Sequence, residues 1–365
     1  MSNIGKIDRN LEVTGEIGGV QLRFLDVRSQ PFDLYGLIPG ETGDFFRRMP
    51  EAVAEQVNPG VAIIHNRASG GRGRFRTDSD CVAIRAVMPE KNLMTHMPFL
   101  GSDGFDLYVA EGQTVAYRGS FRPPVDHKGS YEGIVHFDSR RERDVLIHFP
   151  LYSTVKDLFV GVNPDATLGH GGSYRLDKPV VYYGSSITQG GCASRPGNSY
   201  SNIISRNLNI DHINLGFSGN ARGEEIMADY IANLPMAAFV LDYDHNAPDP
   251  EHLRKTHEPF FLRIREKNPQ LPILMVTRTD LPMLDAQRED TRLRREIIRT
   301  TYENARNRGD QKVWFLDGGE IFAQAEALGI PADSCTVDGC HPNDLGFACM
   351  AKAFGDMLEI MLRGE

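Results

Sequence analysis

Four short segments in the second half of the chain contain residue types that can carry nucleophilic chemistry. They are Tyr183-Gly-Ser-Ser-Ile-Thr-Gln-Gly190, Asn214-Leu-Gly-Phe-Ser-Gly-Asn-Ala-Arg222, Leu241-Asp-Tyr-Asp-His-Asn246 and Asp338-Gly-Cys-His-Pro342. The first follows an apolar β-branched run and ends in small, turn-forming residues. We expect it to present a side chain at the carboxyl edge of a sheet, where open α/β sheets bind their ligands.

The last segment supplies the groups that would activate a serine. A serine hydroxyl is a poor nucleophile until a base takes its proton, and His341 can be that base if an acceptor fixes its tautomer. Asp338 lies three residues earlier and can reach the other ring nitrogen. Pro342 biases His341 toward an extended conformation, which aims the ring out of the loop. We expect activity to fall as His341 becomes protonated.

Bulk composition narrows the possible functions. The 365 residues carry a net charge of −9 without clustered Lys and Arg, which disfavours nucleic-acid binding. No apolar run is long enough to span a membrane, and the amino terminus has no apolar signal region. Five cysteines without a CxxC pair favour a reduced, cytoplasmic protein, with a local Cys335–Cys340 link as the alternative.

Other site chemistries do not fit the residues. There is no P-loop, and Thr188 stands where a GxSxG elbow needs glycine after Ser186. The segment from Asp242 resembles the start of a calcium loop, but Ala247 and Leu253 occupy its glycine and glutamate positions. The histidines lack a zinc-binding spacing. We therefore expect neither a metal nor an organic cofactor.

Short, alternating apolar runs dominate the first half. Separated by Gly, Pro and Asp clusters, they predict strands of an antiparallel sandwich. The predicted strands cover residues 61–64, 81–87, 105–109, 113–117, 133–137 and 144–149. A helix over 44–56 is favoured by its apolar spacing but opposed by Pro50. A glycine-rich linker at 168–177 predicts a domain boundary.

Strands alternate with helices in the second half, which predicts a parallel sheet in a flavodoxin-like three-layer domain. The predicted strands are 179–183, 212–215, 237–242, 273–277 and 313–316, and the predicted helices are 224–234, 250–267 and 285–307. A last helix follows an Asn343 N-cap. Its methionines and phenylalanine recur at helical spacing and predict a buried stripe.

The four segments, in this order, resemble the sequence blocks of the SGNH, or GDSL-type, serine hydrolases. The stretch Gly104-Phe-Asp-Leu-Tyr108 resembles the GxDLY signature of a β-sandwich domain that precedes the catalytic domain in one branch of that superfamily. The resemblance implies a jelly-roll-like sandwich over residues 1–170 and a hydrolase domain over 178–365.

The resemblance also implies roles for individual residues. Ser186 is the nucleophile of a triad with His341 and Asp338. The backbone N–H groups of Ser186 and Gly219 and the side chain of Asn246 form the oxyanion hole.

The chain departs from the family pattern in two places. Ser185 replaces the usual acidic or amide residue before the nucleophile, which leaves open whether Ser185 or Ser186 attacks. The third segment reads D-Y-D-H-N, so Tyr243, Asp244 and His245 could shape a different pocket. Arg278, after the fourth strand of the second half, could also reach the cleft, although a structural role is favoured.

The interpretation is a cytoplasmic serine esterase that removes small acyl groups, plausibly acetyl, from a small-molecule or oligosaccharide ester. An acyltransferase that uses the same acyl-enzyme is the first alternative, and a non-catalytic binding module is the second. Acyl chain length, leaving group and homo-oligomer formation stay open.

Overall fold

The computed structural model describes residues 13–112, 114–279, 281 and 284–363. The chain forms two compact units. Among the described residues, the first contains 13–48, 66–174 and 194–197, and the second contains 49–65, 175–193 and 198–363. Residues 49–65 thus belong to the second unit although they lie in the first half of the chain. Residues 194–197 belong to the first unit although they lie in the second half. The domain bounds 1–170 and 178–365 remain a prediction.

The elements of the described residues are numbered here in chain order. The strands are β1 (Val13–Ile17), β2 (Val20–Asp26), β3 (Asp33–Tyr35), β4 (Arg72–Thr77), β5 (Cys81–Val87), β6 (Phe105–Glu111), β7 (Thr114–Phe121), β8 (Ser130–His136), β9 (Arg143–His148), β10 (Asp157–Val162), β11 (Leu168–His170), β12 (Val180–Gly184), β13 (His212–Gly216), β14 (Ala238–Asp242), β15 (Ile273–Val276) and β16 (Val313–Leu316). The helices are α1 (Glu51–Val57), α2 (Pro59–Ile64), α3 (Phe99–Asp103), α4 (Ser186–Gln189), α5 (Tyr200–Leu208), α6 (Glu225–Ala232), α7 (Pro250–Lys267), α8 (Asp285–Asn307), α9 (Ala323–Glu326) and α10 (Asp344–Arg363).

The first unit is an antiparallel sandwich. One sheet has the order β1-β2-β10-β5-β8, and the other has the order β11-β4-β9-β6-β7 with β3 paired to β4. Both sheets contribute to one hydrophobic core, which includes Leu25, Ile84 and Val160 from the first sheet and Phe75, Phe105, Phe121 and Ile147 from the second. Alternation along each strand places these side chains on the inner faces. The predicted fold of the first half is confirmed.

The GxDLY strand β6 carries a buried polar cluster of the first unit. Asp106 lies opposite His148 in the strand register, and its Oδ1 is 2.8 Å from His148 Nδ1. The other carboxylate oxygen accepts a hydrogen bond from the Gly197 N–H at 2.8 Å and lies 3.4 Å from Arg195 Nε. A Cβ on Gly197 would lie 2.6 Å from the hydroxyl of Tyr108, so only glycine fits there.

Two local predictions in the first half are wrong. Residues 61–64, predicted as a strand, lie in helix α2, because Asn58 accepts a hydrogen bond from the Val61 N–H at 2.9 Å and Pro59 occupies the first helical position. The helix predicted over 44–56 instead begins at Glu51. Pro50 is extended (φ −60°, ψ 135°) and precedes the helix rather than kinking it.

The second unit contains a parallel sheet with the order β13-β12-β14-β15-β16. Numbered within the sheet this is the order 2-1-3-4-5 of flavodoxin-like folds. Helices α6, α7 and α8 cover one face around a core that includes Tyr183, Leu241, Phe260 and Ile298. On the other face, Tyr182 contacts Tyr200 of α5 at a ring separation of 5.7 Å, and Tyr200 in turn contacts Phe354 of α10 at 4.8 Å. The three-layer prediction is confirmed.

The last helix follows its predicted cap. The side-chain oxygen of Asn343 accepts hydrogen bonds from the N–H groups of Leu345 and Gly346 at 3.0 and 3.2 Å. Met350, Phe354 and Met361 are buried along its inner face. Among the described residues, no helix has the length and apolarity needed to cross a membrane.

Candidate active site

Parallel strands bring three of the four segments to one edge of the sheet of the second unit. Gly184, the last residue of β12, is paired with Gly216 of β13 on one side and with Asp242 of β14 on the other. Each of these three residues lies near the start of one of the first three segments. The sheet edge is therefore the place where the site is assembled, as expected for an open α/β sheet.

Glycine is required at Gly184 because the chain turns sharply there. A Cβ at this position would lie 2.0 Å from the hydroxyl of Thr188 and 2.5 Å from the carbonyl oxygen of Asp242. Those are impossible contacts, so a larger residue would displace the start of helix α4. This local geometry holds the first residue of α4, Ser186, beside the sheet edge.

The two adjacent serines do different things. The Ser185 hydroxyl is completely buried and accepts a hydrogen bond from the Ile187 N–H at 3.1 Å, so it caps helix α4. Ser186 is half-buried, and its Oγ lies 3.0 Å from His341 Nε2. An Asp at position 185 could cap helix α4 in the same way. Ser185 can therefore stand in place of the acidic residue usual in the family without loss of the cap.

His341 connects Ser186 to Asp338. Its Nδ1 lies 2.8 Å from Asp338 Oδ2, while Asp338 Oδ1 accepts hydrogen bonds from the backbone N–H groups of His341 and Cys340 at 2.7 and 3.0 Å. A carboxylate can only accept, so Nδ1 carries the proton and Nε2 presents a lone pair to the serine hydroxyl. This is the arrangement that lets an imidazole remove a serine proton.

The charge of Asp338 is set by competing effects. Partial burial raises its pKa, whereas the backbone N–H and the ring of His341 and the N–H of Cys340 lower it. The net result is a pKa below the ordinary aspartate value. Asp338 is therefore ionised near neutral pH and can hold the ring of His341 in the required tautomer.

The loop that carries these residues is held by its own backbone. Val337 donates its N–H to the carbonyl of His341 at 2.9 Å, and Gly339 adopts a left-handed φ of 84°. Thr336 accepts a hydrogen bond from the Gly339 N–H at 3.0 Å. These contacts make the D-x-x-H turn a closed structure rather than an open surface loop.

The second and third segments meet at Asn246. Its side-chain oxygen accepts a hydrogen bond from the Ala221 N–H at 3.4 Å, two residues beyond Gly219. Because the oxygen end of the amide faces the second segment, the NH₂ end is directed elsewhere and can serve as a donor. Gly219 has a φ of +70°, and a Cβ there would meet nothing within 4 Å. Its backbone angle, rather than lack of space, is what favours glycine.

Two residues of the third segment do not shape a pocket as the sequence suggested. Tyr243 is buried, stacks on the His257 ring at 5.9 Å and shares a hydrogen bond with Thr256 at 2.7 Å. Asp244 is also buried and accepts a hydrogen bond from the Arg278 N–H at 3.0 Å. Both side chains support the turn from inside, so the prediction that they form a pocket is wrong.

Arg278 has the structural role that the sequence favoured. Its guanidinium donates to Asp290 at 2.9 Å, and the same carboxylate oxygen accepts from Arg294 at 2.7 Å. Arg294 also donates to the carbonyl oxygens of Asp244 and Ala247 at 2.6 and 3.0 Å. Helix α8 thus braces the turn that carries Asn246.

A second carboxylate lies behind the nucleophile helix. Asp242 Oδ2 accepts hydrogen bonds from Thr188 at 3.2 Å and Tyr200 at 3.4 Å. Burial and the nearby Asp244 raise the pKa of Asp242 well above its usual value. Thr188, on α4, is thereby tied to the end of β14.

The cysteines are all free, so the alternative Cys335–Cys340 link is not formed. Burial and the neighbouring Cys349 raise the pKa of Cys335 to about 11. Cys340 Sγ instead lies 3.8 Å from His245 Nδ1. Within the described part of the chain, no group of three or more His, Cys, Asp or Glu side chains is arranged to hold a metal ion.

Two supporting side chains were missed at the sequence level. Gln189 Oε1 accepts a hydrogen bond from the Ser218 N–H at 3.0 Å, and Asn214 Nδ2 donates to the Thr188 carbonyl at 2.7 Å. Both are buried and both tie the first segment to the second. Both residues lie within the first two segments. A polar side chain expected to be buried beside a glycine turn is the sequence signal that could have identified them.

Comparisons with known proteins agree with this architecture. The GDSL-like lipase/acylhydrolase family matches residues 177–359, and the GxDLY N-terminus of SGNH-hydrolase-type esterases matches residues 22–168. No curated protein matches the chain.

Solved structures resemble the whole chain. A protein named as a GDSL-like lipase from Bacteroides ovatus ATCC 8483 is 27% identical, with a TM-score of 0.83 over 94% of this chain and 98% of its own. The salicylyl-acyltransferase SsfX3 from a tetracycline biosynthetic pathway is 20% identical, with a TM-score of 0.74 over 93% and 99%. The acetyl xylan esterase Est2A from Butyrivibrio proteoclasticus is 15% identical, with a TM-score of 0.57 over 93% and 98%.

Fold and family together define an ester hydrolase whose catalytic domain follows a β-sandwich. The chain belongs to the GDSL-like lipase/acylhydrolase family, in the branch of SGNH-type esterases with a GxDLY N-terminal domain.

Proposed function

We propose that this protein is a serine esterase that removes small acyl groups, foremost acetyl, from a carbohydrate. The observation that carries the proposal is the chain of contacts from Ser186 Oγ through the His341 ring to Asp338, at 3.0 and 2.8 Å. Such a chain activates a hydroxyl for attack on an acyl carbon and requires no metal or organic cofactor.

In the proposed reaction the Ser186 oxygen attacks the ester carbonyl while His341 Nε2 takes the hydroxyl proton. The same nitrogen then gives that proton to the departing alcohol, which leaves an acyl-enzyme. Water attacks the acyl-enzyme, His341 again acts as the base, and the free acid departs. Asp338 stabilises the imidazolium that forms in each step.

The oxyanion of each tetrahedral intermediate needs donors that are already in place. We assign these to the backbone N–H groups of Ser186 and Gly219 and to the side-chain amide of Asn246. In support of this assignment, Ser186 begins the capped helix α4, and Arg294 of helix α8 braces the turn that carries Asn246. Donors fixed in this way stabilise the transition state without reorganisation at the moment of reaction.

The substrate part of the proposal draws on the neighbours. Several solved structures with this fold are named carbohydrate esterases, and one is named an acetyl xylan esterase. At 11–15% identity these likenesses show only the fold, so the carbohydrate acetyl ester is our inference for this chain. The five free thiols are the basis for proposing a cytoplasmic location.

The acyltransferase alternative uses the same acyl-enzyme and differs in the acceptor. Its support is the fold that the chain shares with SsfX3 over 93% of its length. Because water and an alcohol would attack the same intermediate, the protein must be tested with both acceptors.

The test measures kcat/KM for aryl esters from acetyl to octanoyl, followed by acetylated xylo-oligosaccharides with and without added alcohols. We expect the acetyl ester to be the best aryl substrate and free acetate to be the main product from the sugars. A preference for octanoyl, or transfer to the alcohol at a rate above that of hydrolysis, would contradict the proposal.

A further inference from the structure

The loop that bears the base and the turn that bears Asn246 meet through a contact between two side chains, His245 and Cys340. Cys340 lies directly before His341, and His245 lies directly before Asn246. The Sγ of Cys340 is 3.8 Å from His245 Nδ1, within the range of a hydrogen bond to sulfur. Two segments that are far apart in sequence are therefore linked one residue away from each proposed catalytic group.

The tautomer of His245 follows from its other contact. The Thr279 backbone N–H donates to His245 Nε2 at 3.3 Å, and a backbone N–H can only donate. Nε2 therefore carries the lone pair, and in the neutral ring the proton is on Nδ1, which faces Cys340. Removal of the ring from water and the nearby Arg278, His341 and Arg294 lower the pKa of His245 well below its usual value, which keeps the ring neutral.

The His245 side of the contact is rigid. Arg294 donates to carbonyl oxygens on both sides of His245, those of Asp244 and Ala247, and Asp244 accepts from the Arg278 N–H. Thr279, three residues after the end of strand β15, donates its N–H to the other ring nitrogen of His245. The Cys340 side belongs to a loop whose described outside contacts include the Leu281 N–H donating to the Gly339 carbonyl at 2.8 Å.

We infer that His245 and Cys340 are a positioning pair that fixes the distance between the oxyanion donor Asn246 and the base His341. The Nδ1–H of His245 donates to the Cys340 sulfur and holds the D-x-x-H loop against the braced turn. A shift of about 1 Å in a catalytic group can cost about 100-fold in rate, so a contact this close to both groups affects turnover. The inference rests on the proposed function.

The variants test whether the Nδ1–H donor of His245 matters, as distinct from the bulk of its imidazole ring. His245→Leu removes the donor, Cys340→Ala removes the acceptor, and the double variant removes both. His245→Asn keeps an N–H group near the Nδ1 position. His212→Leu is the control, because His212 is a buried histidine at the first residue of β13, at the opposite end of the strand from the sheet edge that carries the site.

Turnover of the acetyl aryl ester is measured per active serine, titrated with a fluorophosphonate, so that loss of folded protein does not count. We expect His245→Leu and Cys340→Ala each to lower kcat on the order of 10- to 100-fold with little change in KM. The double variant should be no slower than the slower single variant, because both remove one contact. His245→Asn should recover most of the rate, and His212→Leu should keep it.

An unchanged kcat per active serine in Cys340→Ala, or losses that multiply in the double variant, would overturn the positioning pair. If His245→Leu does not fold, Cys340→Ala and His245→Asn still decide the question. A wild-type protein without Ser186-dependent turnover would instead refute the proposed function on which the pair rests.

Discussion

The two units each contain a close His–Asp pair, and the pairs differ in nearly everything except distance. Both have a ring Nδ1 and a carboxylate oxygen 2.8 Å apart. In the first unit, Asp106 and His148 are completely buried. They are 42 residues apart in sequence, on neighbouring strands of one sheet. In the second unit, the side chains of His341 and Asp338 are 24% and 41% exposed and three residues apart in one turn.

The difference shows that a His–Asp contact alone does not define a catalytic site. The other carboxylate oxygen of Asp106 is used within the first unit: it accepts from the Gly197 N–H and forms an ion pair with Arg195 at 3.4 Å. The second pair presents the other ring nitrogen of His341, Nε2, to Ser186 at 3.0 Å and is partly exposed to solvent. We interpret the first pair as a structural contact and the second as chemical machinery.

The largest effect should come from breaking the exposed pair. Without the His341 ring no base remains for Ser186, so His341→Ala should lower kcat by about 10⁴-fold or more. Steady-state hydrolysis of an acetyl aryl ester measures this. His136→Ala removes an exposed histidine of the first unit and should leave kcat unchanged; equal losses in the two variants would contradict the assignment.

Breaking the buried pair should instead cost stability. Asp106→Ala leaves the Gly197 N–H, His148 and Arg195 without their shared acceptor, so the free energy of unfolding should fall by about 3–5 kcal/mol. Denaturant titration measures it. Glu132→Ala is the control, because its contact with Arg85 at 2.6 Å is exposed and should contribute less than about 1 kcal/mol. Similar losses for both would remove the distinction between buried and exposed pairs.

Asn246, the proposed oxyanion donor, lies in the unit that contains the exposed pair, and no such role is proposed in the unit with the buried pair. Loss of one donor costs roughly 2.7–4 kcal/mol of transition-state stabilisation, so Asn246→Ala should lower kcat by about 100-fold or more. Asn304→Ala removes an amide of α8 that donates to Glu258 and should have no effect. A near-wild-type kcat for Asn246→Ala would remove Asn246 from the site.

The smallest effect concerns pH. The pKa of Asp338 is lowered in the folded protein, so its contacts stabilise the fold above the unfolded pKa of about 3.9 and are lost as pH falls through the lower folded value. Wild type should therefore exceed Asp338→Asn slightly in unfolding free energy at neutral pH and match it at the acid end. A gap that widens on acidification would reverse the sign of this linkage.

Local sequence signals predicted most of the fold and the candidate site. Asp338 and His341 share one turn, so residue types and a short spacing indicated the base and its partner. The choice of Ser186 and the roles of Gly219 and Asn246 came from the family resemblance. The Asn343 cap and the parallel strands were likewise readable from local patterns. These are contacts that a few neighbouring residues determine.

Contacts between distant segments were not predictable in the same way. The Asp106–His148 pair depends on strand register, and the His245–Cys340 contact depends on how two loops meet. The departure of the third segment from the family pattern suggests that Tyr243 helps to shape a pocket, whereas its ring packs on His257 inside the core. Residues 61–64 read as a strand because a short apolar run has no clear period, and Asn58 and Pro59 decide for a helix.

The central claim is that Ser186, rather than its neighbour Ser185, becomes acylated. Intact-mass measurement after treatment with a fluorophosphonate, together with acetyl-ester turnover, should be made on Ser186→Ala and Ser185→Ala. The account predicts that Ser186→Ala loses both labelling and turnover, whereas Ser185→Ala keeps both and loses only about 1 kcal/mol of helix-cap stability. Labelling and turnover that survive in Ser186→Ala would contradict it.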